Sequence, residues 1–232
     1  MTTRYRTRRF IGILLILFVT GATILANSHL YEQTTPATSP SVASSDGSAQ
    51  AALAVLPVKG KAPKTGYSRA EFGDGWVTQA GCDTRNIILH RDLTQPRVGE
   101  ECKILSGSLN DPYTGKTILF QRGADSSQLV QIDHVVALSN AWQTGAQQLT
   151  FSQREALAND PLELLAVDGA ANQQKGDGDA ATWLPSNKPF RCQYIARQIA
   201  VKQKYTLWVV PAEKDAMLRI LQACPTQPLP TS

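Results

Sequence analysis

Apolar residues open the chain in one block and then break into short, spaced groups. Phe10 to Ala26 is apolar all round and free of charge, and Arg4, Arg6, Arg8 and Arg9 precede it. A basic stretch followed by an apolar one is the pattern of an export signal. The run is close to the minimum of roughly 17 residues that spans a bilayer. Residues 1–26 therefore read either as a signal cleaved after Ala22 or Ala26, or as a membrane anchor. Residues 27–66 are rich in Ser, Thr, Pro and Ala with few large apolar side chains, the composition of a disordered linker. A folded domain is expected over 67–224, and 225–232 reads as a Pro-rich tail.

Inside the domain the first part shows no clear period. Asp111-Pro-Tyr-Thr-Gly115 predicts a turn, and Lys116 to Arg122 alternates like a half-buried strand. Gln128 to Ile132 predicts a second strand that ends directly on Asp133-His134. Ser139 to Thr144 and Ser152 to Ala158 predict helices, the latter with Ser152 as cap and Glu155 in the capping-box position. Leu162 to Val167 is a short apolar run best read as a strand. Helices are expected from Asn172, over Cys192 to Lys204, and over Ala212 to Gln222 with Pro211 near the first turn. Strands and helices in this order predict an α+β fold.

Charge changes this picture less than its total suggests. The chain of 232 residues carries a formal net charge of +4, but without the four leader arginines it holds 19 basic and 19 acidic residues. Polyanion binding, if present, must come from local clusters rather than from the overall field. The four cysteines, Cys82, Cys102, Cys192 and Cys224, form no C-x-x-C pair, which argues against a zinc ribbon or a thioredoxin-like motif. An even number in an exported chain predicts two disulfides. Three pairings are compatible with the sequence; Cys82 with Cys102 and Cys192 with Cys224 is the pairing in which each bridge brackets one compact stretch.

The chemistry lies in the order of three segments: a strand ending at Asp133-His134, a strand over Leu162 to Val167, and Asn172-Gln-Gln-Lys175-Gly176 opening a helix. This places an imidazole at a strand end and polar ligands on a facing helix. A neutral imidazole can take a proton from an attacking water, and a cation beside it can neutralise a phosphate. These segments, with Asn159-Asp-Pro-Leu162, resemble those of HNH (ββα-metal) endonucleases, in the branch related to the C-terminal domain of GmrSD restriction enzymes. Gly81-Cys-Asp-Thr-Arg85, Phe120-Gln-Arg-Gly123, Trp183-Leu-Pro185 and Arg191-Cys192 further resemble small exported members of that branch. The likeness covers about Tyr67 to Cys224.

The resemblance implies an HNH core with additional helices and an exported, metal-dependent endonuclease with little sequence specificity. It would act on DNA, with RNA as a second substrate class. His134 is implied as general base, Asp133 and Asn172 as metal ligands, and Lys175 as support for the phosphate or the helix turn. An Asp carboxylate and an Asn carbonyl favour a hard ion, Mg²⁺, with Mn²⁺ able to substitute. The motif's usual central Asn is replaced by Glu163; either Glu163 or nearby Asn159 is then expected to orient the base. That departure also leaves an alternative, an exported binding or cell-envelope protein that keeps the fold without turnover. Arg191, Arg197, Lys202 and Lys204 are candidate phosphate contacts or a charged outer face. Asp177 and Asp179 read as a solvated turn, and His90-Arg91-Asp92 as ordinary surface. No obligate protein partner is evident. The expected location is extracellular, or the outer face of the membrane if residues 10–26 stay as an anchor.

Overall fold

A computed structural model of the chain describes residues 47–124 and 126–230. The leader and the first part of the expected linker lie outside these residues. Among those described there are seven α-helices and seven short strands in three small antiparallel sheets. The mixed α+β class is as expected.

The centre of the domain is the pair β6 (Val130–His134) and β7 (Leu164–Asp168), in which His134 lies opposite Leu164 and Asp133 opposite Leu165. Side chains alternate between the two faces of a strand. Val130, Ile132, Leu164 and Ala166 pack into a smaller core with α2 (Thr84–Asp92), β3 (Leu93–Val98), β4 (Ile104–Asn110) and β5 (Thr117–Gln121). Leu165 and Val167 face a larger core shared with α3 (Leu138–Gln143), α4 (Phe151–Ala158), α6 (Arg191–Lys204) and α7 (Pro211–Leu221). A strand buried on both faces reads as a continuous apolar run, and this is why Leu164-Leu-Ala-Val167 shows no alternation.

The chain leaves β7 directly into α5 (Gly169–Lys175), whose first turn is capped by the Asp168 carboxylate accepting from Ala171 N at 2.7 Å. Gly169 is dictated by close approach, since a Cβ there would lie 2.1 Å from the Gln128 carbonyl oxygen. The α4 helix starts one residue earlier than expected. Its cap is Thr150, which forms a capping box with Gln153, not Ser152 with Glu155.

The expected linker is corrected over its second half, where residues 47–66 are part of the fold. Helix α1 (Ala49–Val55) buries Ala49, Ala52 and Leu53, small and apolar side chains that the compositional reading discounted. The strap that follows is clipped down by Trp142 Nε1 donating to Thr65 O and Trp208 Nε1 donating to Gly60 O. Lys61 pairs with Asp179 at 3.0 Å and Lys64 with Asp177 at 2.8 Å. Asp179 is thus buried, not part of a solvated turn. The tail also joins this edge: Ser48 bridges Pro228, and Ala49 N donates to Gln227 O.

The bridges are Cys82–Cys102 and Cys192–Cys224, with separations of 20 and 32 residues. Loop-closure entropy makes them worth about 3 and about 4 kcal/mol. Protein made by an oxidising route should show no free thiol when unfolded without reductant, and dithiothreitol should lower its melting temperature. Four titrating thiols would contradict the bridges.

Candidate active site

The β6–β7 register sets His134 at the end of β6, where its ring stacks on Trp76 with centroids 5.7 Å apart and planes 10° from parallel. Its Nε2 lies 3.0 Å from the carbonyl oxygen of Ala158 at the end of α4. A carbonyl only accepts, so Nε2 carries the hydrogen and Nδ1 the lone pair. Burial, and then the nearby Arg69, lower the His134 pKa to about 3, so the imidazole is neutral at physiological pH. Two cavities meet at this ring. One of about 430 Å³ is lined by Asp133, His134, Asn172, Arg69, Arg85 and Asp177 among others. The second, about 350 Å³, runs under the Arg69–Trp76 loop and shares Arg69, Trp76, His134 and Leu138 with the first.

Asp133 and Asn172, from β6 and α5, thus line one cavity with the imidazole. The Asp133 carboxylate is buried and held from both sides: Lys175 Nζ donates to Oδ1 at 2.9 Å and the Tyr113 hydroxyl donates to Oδ2. Burial pushes the Asp133 carboxyl up, against the pull of Lys175 and Tyr113. Asn172 Nδ2 donates to Gln131 Oε1 at 2.9 Å, which fixes the amide and leaves its oxygen as the open end. Lys175 is fully buried and also donates to His134 O at 2.7 Å, so its role is to lock the Asp133–His134 turn onto α5.

Glu163 is completely buried, against the loop that follows His134. Its backbone oxygen accepts from Val135 N at 2.9 Å and its Oε2 accepts from Val136 N at 3.1 Å, so it holds the loop that follows His134. Asn159 instead binds Val77 N and Glu155 O, away from that loop. Of the two candidates, Glu163 is the one hydrogen-bonded to the loop after His134. Burial raises its pKa well above the ordinary 4.5. Its Oε1 and the Oε1 of Gln198 are both buried without a partner among the described residues, and Gln198 Nε2 donates to Val135 O. A neutral, protonated Glu163 leaves a smaller desolvation cost at its unpartnered oxygen than a carboxylate would.

A carboxyl kept neutral in the folded state stabilises fully below its unfolded pKa, and this contribution is lost as pH rises toward the folded value. Glu163→Gln keeps the acceptor for Val136 and cannot ionise. Its melting temperature should therefore exceed the parent's at pH 8, with the gap closing at pH 4. Equal curves at both pH values would show that Glu163 does not ionise on unfolding.

The remaining candidates lie elsewhere. Arg197 is corrected from a phosphate contact to a structural group: it donates to Leu162 O at 2.9 Å and Pro161 O at 3.3 Å, and lines neither His134 cavity. Arg191 donates to Pro185 O and lines a separate cavity with Tyr113 and Trp183. Lys202 is fully buried and Lys204 pairs with Asp160 at 2.6 Å. Arg91 and Asp92 are also structural, gripping β7 through Leu164 O and Ala166 N. Sequence reading missed Arg69 and Trp76, which lie before the motif and carry no spacing that marks them.

The model for "GmrSD restriction endonucleases, C-terminal domain" matches residues 84–220. The chain belongs to this family. It is thus related to a family of nuclease domains, and the two strands, α5 and every residue assigned above except Arg69 and Trp76 fall inside the match. A protein of Arthroderma benhamiae described as an uncharacterized secreted protein is 41% identical over 192 residues, covering 82% of this chain and 91% of that one. No solved structure matches. No helix among the described residues is long and apolar enough to cross a membrane; the leader, where an anchor would lie, is outside them.

Proposed function

We propose that the protein is an exported HNH-type endonuclease that hydrolyses phosphodiester bonds of DNA, and of RNA as a second class, with little sequence specificity. The observation that carries this is the neutral imidazole of His134, its Nδ1 lone pair free of donors among the described residues, on a cavity it shares with Asp133 and Asn172. Membership of a restriction-endonuclease family and likeness to a secreted relative support the same reading. The sequence carries no base-reading motif, so contacts to the phosphate backbone would dominate.

No group of three or more His, Cys, Asp or Glu residues among those described could hold a metal. The donors that fit are two oxygens, one from Asp133 and one from Asn172, a set suited to Mg²⁺, which keeps several waters and takes one or two protein oxygens plus phosphate. Each Asp133 oxygen accepts one hydrogen bond and retains a further lone pair. Bound there, the ion would neutralise charge building on the phosphate.

The residues of the chain do the rest. Nδ1 of His134 takes a proton from water as that oxygen attacks phosphorus. The new P–O bond forms as one ester P–O bond breaks, and the leaving oxygen acquires a proton from solvent. The Ala158 carbonyl holds the ring in the required tautomer and stabilises the imidazolium that forms. Lys175 and Tyr113 fix Asp133, and Glu163 fixes the loop behind the ring.

Asp133→Asn tests the metal assignment with less disruption than alanine, because its amide oxygen can still accept from Lys175 while its amide nitrogen can donate to the Tyr113 hydroxyl oxygen. The variant should melt below the parent, because the buried Lys175 loses its counter-charge, and the folded protein should need a higher Mg²⁺ concentration for plasmid nicking, with only partial recovery. An unchanged Mg²⁺ dependence would place the ion elsewhere.

A further inference from the structure

Arg69 stands at the junction of the two cavities, one of the few side chains that lines both with His134. It makes no side-chain hydrogen bond or ion pair among the described residues, whereas the other basic groups discussed are engaged. Arg85, on the same cavity, is tied to Val130 O at 3.1 Å; Lys64 holds Asp177, Lys175 holds Asp133, and Arg197 holds backbone carbonyls. Arg69 is close enough to His134 to depress its basicity by charge. The segment that carries it is fixed nonetheless. Arg154 donates to Glu71 O at 2.7 Å and to Glu71 Oε2 at 3.0 Å, anchoring the 3₁₀ turn Arg69–Phe72 to α4.

A guanidinium on a rigid turn, exposed and unpartnered beside a neutral base, lacks a structural reason to be there. Its five donors match the oxygens of a phosphodiester. The smaller cavity also carries Asp74, whose charge repels a polyanion. The larger one carries Arg85 and Asn172, and its two acids are already paired.

Resting on the nuclease reading, we infer that Arg69 binds the scissile phosphodiester directly, on the Asn172 side of His134. It contacts the reacting group and is in that sense a catalytic residue, in the place the sequence suggested for Arg191 and Arg197.

The test is binding of a short labelled duplex of mixed sequence, in Mg²⁺, by the full domain carrying His134→Ala so that the duplex survives. Adding Arg69→Ala should weaken binding roughly ten-fold or more. The slope of log K against log salt should become shallower by about one phosphate contact. Arg69→Lys should keep the slope and recover part of the affinity, and melting temperatures should be unchanged throughout. Equal affinity and slope with and without Arg69 would overturn the inference and leave the nuclease reading intact. No duplex binding by the His134→Ala protein would also overturn it, and nicking by the parent, assayed alongside, would show whether the nuclease reading falls with it.

Discussion

Replacing His134 with alanine is expected to lower plasmid nicking by roughly two to four orders of magnitude, the usual worth of a positioned general base. The ring is the one imidazole on the cavity, and no other neutral nitrogen base among the described residues lines it. Folding should survive, because among the described residues the ring's only polar contact is with the Ala158 carbonyl and the loop behind it is held independently by Glu163 and Lys175. His134→Asn, which keeps a polar group at the position, should be equally inactive. Near-parent nicking by a folded His134→Ala protein would remove the central assignment.

Among single substitutions, the largest effect on stability is expected at Lys202, far from the chemistry. Its ammonium is fully buried, 3.1 Å and 3.2 Å from the two oxygens of Glu213, itself only 1% exposed. It also donates to Trp208 O at 3.0 Å. The cluster ties the end of α6 to the start of α7. Lys202→Met would leave the Glu213 carboxylate buried without a counter-charge, a change that typically costs about 3–5 kcal/mol. For a domain of this size that is a fall of roughly 6–20 °C in melting temperature. Adding Glu213→Leu should recover most of the loss, short of the contribution from Val210 N, which donates to Glu213 at 3.2 Å. A single variant melting within a few degrees of the parent would contradict the buried pair.

These two sites show what the sequence made legible. The β6–β7–α5 order could be read because its residues are constrained by both periodicity and chemistry: an apolar strand closing on Asp133-His134, then polar helical residues from Asn172. The start of that helix was misplaced, since it is capped by Asp168, begins at Gly169 and ends at Lys175, with Asn172 in its middle. Helices α6 and α7 were legible from their apolar spacing. By contrast, α2, β3 and β4 were missed. The first buries Thr84 and Asn86, and Asn86 is a hydrogen-bonding hub for Ile104 N and Arg122, so polar letters there stand for interior positions. Register shifts and Pro96 interrupt β3, while Ser106-Gly-Ser108 dilutes the alternation of β4. Lys202, Arg197 and Asp179 look like surface in the sequence because their partners lie in other elements. Arg69 was invisible as a site residue for the same reason: only the fold brings it to His134.

The most direct test of the account is the purified domain on supercoiled plasmid, with Mg²⁺ and then with EDTA. Supercoiled plasmid should convert to nicked and then linear forms in Mg²⁺, conversion should stop in EDTA and resume on restoring the metal, and His134→Ala prepared in the same way should give none. Intact plasmid under all conditions, or nicking that survives both EDTA and the loss of His134, would contradict it.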